Sequence, residues 1–144
     1  MREINYWAVI VTTLAAFAFS SAYYMVFSKA RMKLLANEPG ATADVRKVPV
    51  WKVLLELVRG FVVTLVMAHV IVLARIVGWL DAAQLAVWIA IGFPVMILMG
   101  SVTWDKRPWK LAAIHAGDWI IKLLLIAVIP VSYTHLTLPT IYSV

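Results

Sequence analysis

The chain has 144 residues, 64% of them apolar and 14% charged, with a formal net charge of +6 and no cysteine. Soluble domains average about 45–50% apolar and about 25% charged residues, and a globule of this size cannot hide such an apolar excess, so lipid must cover part of it. The missing cysteines exclude disulfides, thiolate nucleophiles and Cys-based zinc sites. The positive charge is confined to short segments between apolar runs, which reads as a membrane-topology signal and argues against a nucleic-acid-binding domain.

The first apolar run covers residues 4–27, without a charge between Glu3 and Lys29, and exceeds the ~20 residues that a bilayer crossing requires. Thr12, Ala16 and Ser20 place small side chains on one helical face, while Trp7, Tyr23 and Tyr24 near the ends read as interfacial anchors. Ala16-Phe17-Ala18 resembles a signal-peptide cleavage site, but Glu3 offsets Arg2 and the apolar run is too long. A loop over residues 29–50 carries Lys29, Arg31, Lys33, Arg46 and Lys47 around a Glu38-Pro39-Gly40 turn signal, with room for a short interfacial helix at its start.

The second span is predicted over residues 51–74. A shifted register over 60–80 would move Glu56 and Arg59 into the headgroups, but the first register leaves Arg75, Gly78 and Asp81 for a tight connection. The third span, residues 82–103, has no charge in 22 positions, and Gly92-Phe93-Pro94 predicts a kink midway. After the turn Trp104-Asp105-Lys106-Arg107-Pro108, the fourth span covers residues 109–129, with Pro108 just before its first turn. The fold class is an all-α membrane protein, a four-helix bundle of transmembrane helices with short connections and antiparallel neighbours.

The final segment, residues 131–144, breaks this pattern with Thr, Ser, Tyr and Pro139. Its stretch VSYTHLTLPT back-translates into a sequence resembling a transposon-end sequencing adapter, and an index and a stop codon fit the residues after it. The chain is therefore divided into a four-helix transmembrane domain, 1–129, and a non-native adapter-derived tail, 130–144, expected to add nothing to the fold.

NYWAVIVTTLAAFAFSSAYYMVFSKARMK near the start and GSVTWDKRPWKLAAIHAG from Gly100 to Gly117 resemble the bacterial membrane family known as domain of unknown function 1761. The similarity covers residues 4 to 129, and its most specific part is the turn from Trp104 to Lys110 with Arg107-Pro108-Trp109. The resemblance implies four membrane spans. It implies no activity, substrate or catalytic residue.

Charges inside spans are costly and therefore mark candidate sites. Glu56 and Arg59 lie in the second span, and His115, Asp118 and Lys122 share an arc of roughly 60° on the fourth. These five residues form the candidate intramembrane polar cluster. Matched depths from the entry points at Trp51 and Trp109 predict that Arg59 faces Asp118 and that Glu56 faces His115. A structural reading, opposite charges joining two helices with Lys122 snorkelling, is preferred over a proton or ion relay because each charge has a compensating partner. His69, near the other end of its span, reads as an interfacial histidine. Lys106, Arg107 and Lys110 are candidate headgroup contacts, although Trp104 and Trp109 beside them already read as anchors.

No phosphate loop, metal-spaced cluster or nucleophile elbow is present in the sequence, so no catalytic residue, metal or cofactor is assigned. The leading function is a non-enzymatic, multi-pass bacterial inner-membrane protein that packs with copies of itself or a partner in the lipid bilayer, without nucleic acid. The alternative is an oligomeric proton- or ion-coupled small-molecule transporter, its substrate not read from the sequence. A lipid-acting enzyme using His115, Asp118 and Arg107 is a third class. Lys29, Arg31, Lys33, Arg46, Lys47, Lys52, Lys106, Arg107 and Lys110 fall on one side of the membrane, against Arg2 and Arg75 on the other. The positive-inside rule therefore predicts non-cytoplasmic termini. A reporter fused after Ile129 is expected to signal a non-cytoplasmic position, and a cytoplasmic signal would overturn this topology or the span count.

Overall fold

A computed structural model describes residues 4–36 and 48–137. Its helices are α1 (Tyr6–Val26), α2 (Ser28–Leu35), α3 (Val50–Leu73), α4 (Trp79–Ala90), α5 (Met96–Trp104) and α6 (Trp109–Thr137), with a π-helical turn, Ile91–Val95, joining α4 to α5. Four apolar helices are long enough to cross a membrane: α1, α3, the continuous Trp79–Trp104 rod and α6.

Local chemistry explains the element ends. The Asn5 side chain accepts a hydrogen bond from the Ala8 amide at 3.2 Å, capping α1. At the end of α3, Arg75 takes a left-handed backbone with φ 55°, and the Ile76 amide reaches back to the Ile71 carbonyl at 3.1 Å. This closing motif usually employs glycine at the left-handed position. It lets the chain reverse within a few residues, as the tight connection requires. Pro94 has no amide hydrogen and its ring crowds the preceding turn, so the third span widens there into the π-helical turn at the expected kink.

The helix α6 is the hub, packing most extensively on α4 and α1 and also against α3, α5 and α2. Ala82, Ala86 and Ala90 recur at every fourth position of α4 and are all 0% exposed. Without large side chains in the way, α4 approaches α6 closely, over a core containing Leu123, Ile126, Ala127 and Val131. On α1, the expected packing face of Thr12, Ala16 and Ser20 is buried. Leu54, Leu55, Leu73, Trp88, Phe93 and Ile97 stay exposed, a surface suited to lipid.

The helix does not break after Ile129. It continues through Pro130 to Thr137, and Val131 is 3% exposed within the core. Proline removes one ladder hydrogen bond, the one that would reach the Ile126 carbonyl, but the apolar face persists through Val131 and holds the helix on. The expectation of a tail without packing is thus corrected at Val131; residues 138–144 lie outside the described residues. Truncation after Ile129 should lower the unfolding free energy by about 1 kcal/mol through the lost van der Waals packing of the buried valine, whereas truncation after Tyr133 should retain it. Denaturation by SDS in mixed micelles measures both, and equal stabilities would mean that Val131 contributes nothing.

Candidate functional site

The polar residues of the spans converge where α1, α3 and α6 meet, toward the end of the bundle that carries α2 and the start of α6. Asp118 is 1% and Lys122 6% exposed. They stand one turn apart on α6, and the Lys122 ammonium lies 3.1 Å from Asp118 Oδ2. Helical side chains lean toward the N-terminus, so the long Lys122 stem carries its charge back to the level of Asp118 and of Glu56 on α3. The same ammonium is 3.7 Å from Glu56 Oε1, which also accepts from Arg59 at 3.0 Å. The result is an alternating row, Arg59, Glu56, Lys122 and Asp118, whose formal charges sum to zero. Trp119 lies between the two cations, 5.5 Å from the Arg59 guanidinium and 5.0 Å from the Lys122 ammonium, measured to the ring centroid.

Further partners come from α1. Ser20 Oγ donates to Asp118 Oδ1 at 2.6 Å, and the Tyr24 hydroxyl lies 2.7 Å from His115 Nδ1 and 3.4 Å from Asp118 Oδ2. Tyr24 has one proton to give. It either donates to an unprotonated Nδ1, or accepts from a protonated one and turns its proton toward Asp118. One residue earlier, Tyr23 donates to the Ile114 carbonyl at 3.0 Å. Ser20 opposite Asp118 and Tyr24 opposite His115 make an antiparallel zipper between α1 and α6.

Gly117 allows that zipper to close, since a Cβ there would lie 2.5 Å from the Tyr23 hydroxyl oxygen. The Tyr23 ring is also held by Phe19, Tyr24 and Phe27, with centroids 5.9, 5.7 and 4.7 Å away.

Two expected pairs are corrected by this geometry. Arg59 pairs with Glu56 on its own helix instead of with Asp118, because Lys122 already occupies Asp118 from one turn away and the Arg59 side chain is 55% exposed. His115 meets Tyr24 rather than Glu56, which Arg59 and Lys122 occupy. Tyr23 and Tyr24, expected as interfacial anchors, instead turn inward onto α6. Their hydroxyls, like Ser20, bear no charge to mark them in the sequence.

A family model matches residues 7–131. The chain belongs to the DUF1761 family. That family is described as a protein of unknown function, so the match assigns no chemistry to the cluster. No curated protein and no solved structure matches the chain.

In this DUF1761 protein, Lys106 and Arg107 lie exposed on the turn before α6 and Lys110 in its first turn, with Trp104 and Trp109 exposed beside them. Lys110 covers its neighbour's ring, 5.9 Å from the Trp109 centroid. His69 is exposed and engages the Leu65 carbonyl of its own helix at 2.8 Å. Among the described residues, no group of three or more His, Asp or Glu is placed to hold a metal ion.

Gly117→Ala should destabilise the protein by about 1–3 kcal/mol, because the added methyl displaces a well-held tyrosine. With Tyr23→Phe the obstructing oxygen is gone, and the same change should become neutral or stabilising by up to about 1 kcal/mol from helix propensity. Unfolding titrations of the four variants test this sign reversal; equal effects of Gly117→Ala in both backgrounds would show that the contact is not limiting.

Proposed function

We propose that the chain is a non-enzymatic, multi-pass bacterial inner-membrane protein whose role is exercised through packing, with copies of itself or with a partner. The intramembrane cluster is then a clamp that gives it a fixed shape. One observation carries this reading: the alternating row from Arg59 to Asp118 provides each charge with an opposite neighbour and leaves no surplus. Isolated charges would cost several kcal/mol each in this environment, and pairing removes most of that cost. The basic end faces the cytoplasm in this reading, and the termini lie on the opposite side.

A second reading, the oligomeric proton- or ion-coupled transporter, is favoured by the Tyr24 hydroxyl that joins His115 to Asp118. It makes a continuous row of proton-exchanging groups from His115 to Glu56. Beyond Lys122, however, the α6 face turns to Leu123, Ile126 and Ala127, so a proton path across the bilayer would require a further opening.

Reconstitution into liposomes with imposed pH and ion gradients separates the two. Under the clamp reading the parent carries no gradient-driven flux, and Asp118→Asn leaves Lys122 only Glu56, already shared with Arg59, and costs about 3 kcal/mol of stability. Asp118→Asn combined with Lys122→Met should recover part of that loss, as coupled neighbours do. Flux in the parent that Asp118→Asn abolishes would replace the clamp with the transporter.

A further inference from the structure

The charges deep in the bundle are matched, and Arg31 near its basic end is set apart from them. The helix α2 follows α1 after the single turn residue Phe27, and the i→i−4 ladder carries on across it, from the Phe27 amide to the Tyr23 carbonyl at 3.1 Å and from the Arg31 amide to the Phe27 carbonyl at 2.9 Å. This places the Arg31 guanidinium over the Tyr24 ring, 4.6 Å from its centroid, on the same tyrosine whose hydroxyl meets His115. No carboxylate among the described residues pairs with Arg31, and its Nε is shielded from solvent without an acceptor. A shielded donor without a partner is uncommon enough to need a cause, and an ion is one of the few.

The surroundings favour a negative ion. Arg31, Arg107, Arg59 and Asp118 all lie within electrostatic reach of His115. Asp118 is already engaged by Lys122 and Ser20, and Arg59 by Glu56. Arg31 lies on α2, with Lys29 and Lys33 exposed on the same helix. Trp104 and Trp109 are 85% and 67% exposed on the neighbouring turn, as residues at a headgroup boundary are. Met25 and Val26, at the end of α1, are exposed apolar residues within two turns of Arg31 in the chain. A planar guanidinium held by ring stacking is preorganised for phosphate oxygens, which it binds through two parallel hydrogen bonds.

We propose that Arg31 is the central donor of a phosphate site at the basic end of the bundle, occupied by the headgroup phosphate of an anionic phospholipid. The acyl chains would extend along the exposed apolar surface of α1 while the phosphate meets Arg31, with Lys29 and Lys33 adding long-range attraction. This goes beyond the packing role and does not depend on it: a clamp can stand without a bound lipid, and a lipid site can serve a transporter equally well.

The full-length protein in detergent, titrated with phosphatidylglycerol, phosphatidylcholine or inorganic phosphate and followed by native mass spectrometry, tests the assignment. Phosphatidylglycerol should bind in preference to phosphatidylcholine. Loss of a charge-assisted pair at Arg31→Gln should weaken it about tenfold or more, whereas Lys33→Gln, an exposed cation, should weaken it less than about threefold. Arg31→Lys keeps a cation over Tyr24 and preserves the fold, yet loses Nε and the planar fork, so it should bind nearly as weakly as Arg31→Gln. Inorganic phosphate that binds with the same dependence on Arg31 and displaces the lipid would make free phosphate the ligand and overturn the lipid assignment. Parent-like binding by Arg31→Lys, equal weakening by Arg31→Gln and Lys33→Gln, or no preference between the lipids would overturn the site itself.

Discussion

A carboxylate and an ammonium enclosed among apolar helices set the terms for the rest of this protein. Each ion costs several kcal/mol to remove from water, and their attraction offsets this only with good geometry and further hydrogen bonds. Asp118 and Lys122 meet the first condition within one helix, since a four-residue separation places them on the same face, 3.1 Å apart. The second condition recruits the neighbours. Ser20 on α1 supplies a proton to the free carboxylate oxygen, and Glu56 on α3 supplies a second counter-charge to the ammonium. Thus α1, α3 and α6 are drawn together by what one pair on α6 needs.

The other side of the bundle solves a different problem. In lipid, apolar side chains gain little from meeting each other because the acyl chains are equally apolar, so helices associate through close van der Waals packing and polar contacts. The third span has neither charge nor hydrogen-bonded hydroxyl facing α6 in the cluster. It relies on Ala82, Ala86 and Ala90, whose complete burial reflects a close approach to α6. The protein therefore combines a polar joint at the α1 and α3 side of α6 with a small-residue joint at the α4 side. Such an arrangement places α6 between its neighbours rather than at one corner of a symmetric four-helix square.

The spans were legible in the sequence because length and apolarity are properties of a single segment, and the irregular turn at Pro94 because proline lacks a donor wherever it stands. The charged members of the cluster were legible for a similar reason: a charge within a span must be accommodated. Their partners were not. Comparing backbone depth joined Arg59 to Asp118, but it neglected how far Lys122 reaches back and that Asp118 can be satisfied from its own helix. Ser20 was readable as a small packing residue and not as a donor, since both roles suit the same face. The Ala82 stripe was lost among other alanines, and the continuation of α6 to Val131 was hidden by Pro130 and the polar residues after it. Each of these depends on which helix lies opposite, which no periodicity within one segment records.

Hydrogen bonds between α1 and α6 also explain how a largely apolar bundle selects one register. Smooth faces of Ala, Leu and Ile can slide by a helical turn, about 5.4 Å, while losing little packing. Polar groups cannot, and fixing register is the best-attested use of buried polarity. In the observed register, Ser20 meets Asp118, Tyr24 meets His115 and Tyr23 meets the Ile114 carbonyl. Sliding α1 by one turn in one direction would set Ala16, which has no donor, against Asp118. In the other, Tyr24 would move from His115 toward Asp118, and Phe27 would take the place of Tyr23 beside Gly117 without a hydroxyl for Ile114. Both displaced states leave a buried polar group short of a partner, so the small gain of each hydrogen bond matters less than the cost that its absence imposes on every alternative.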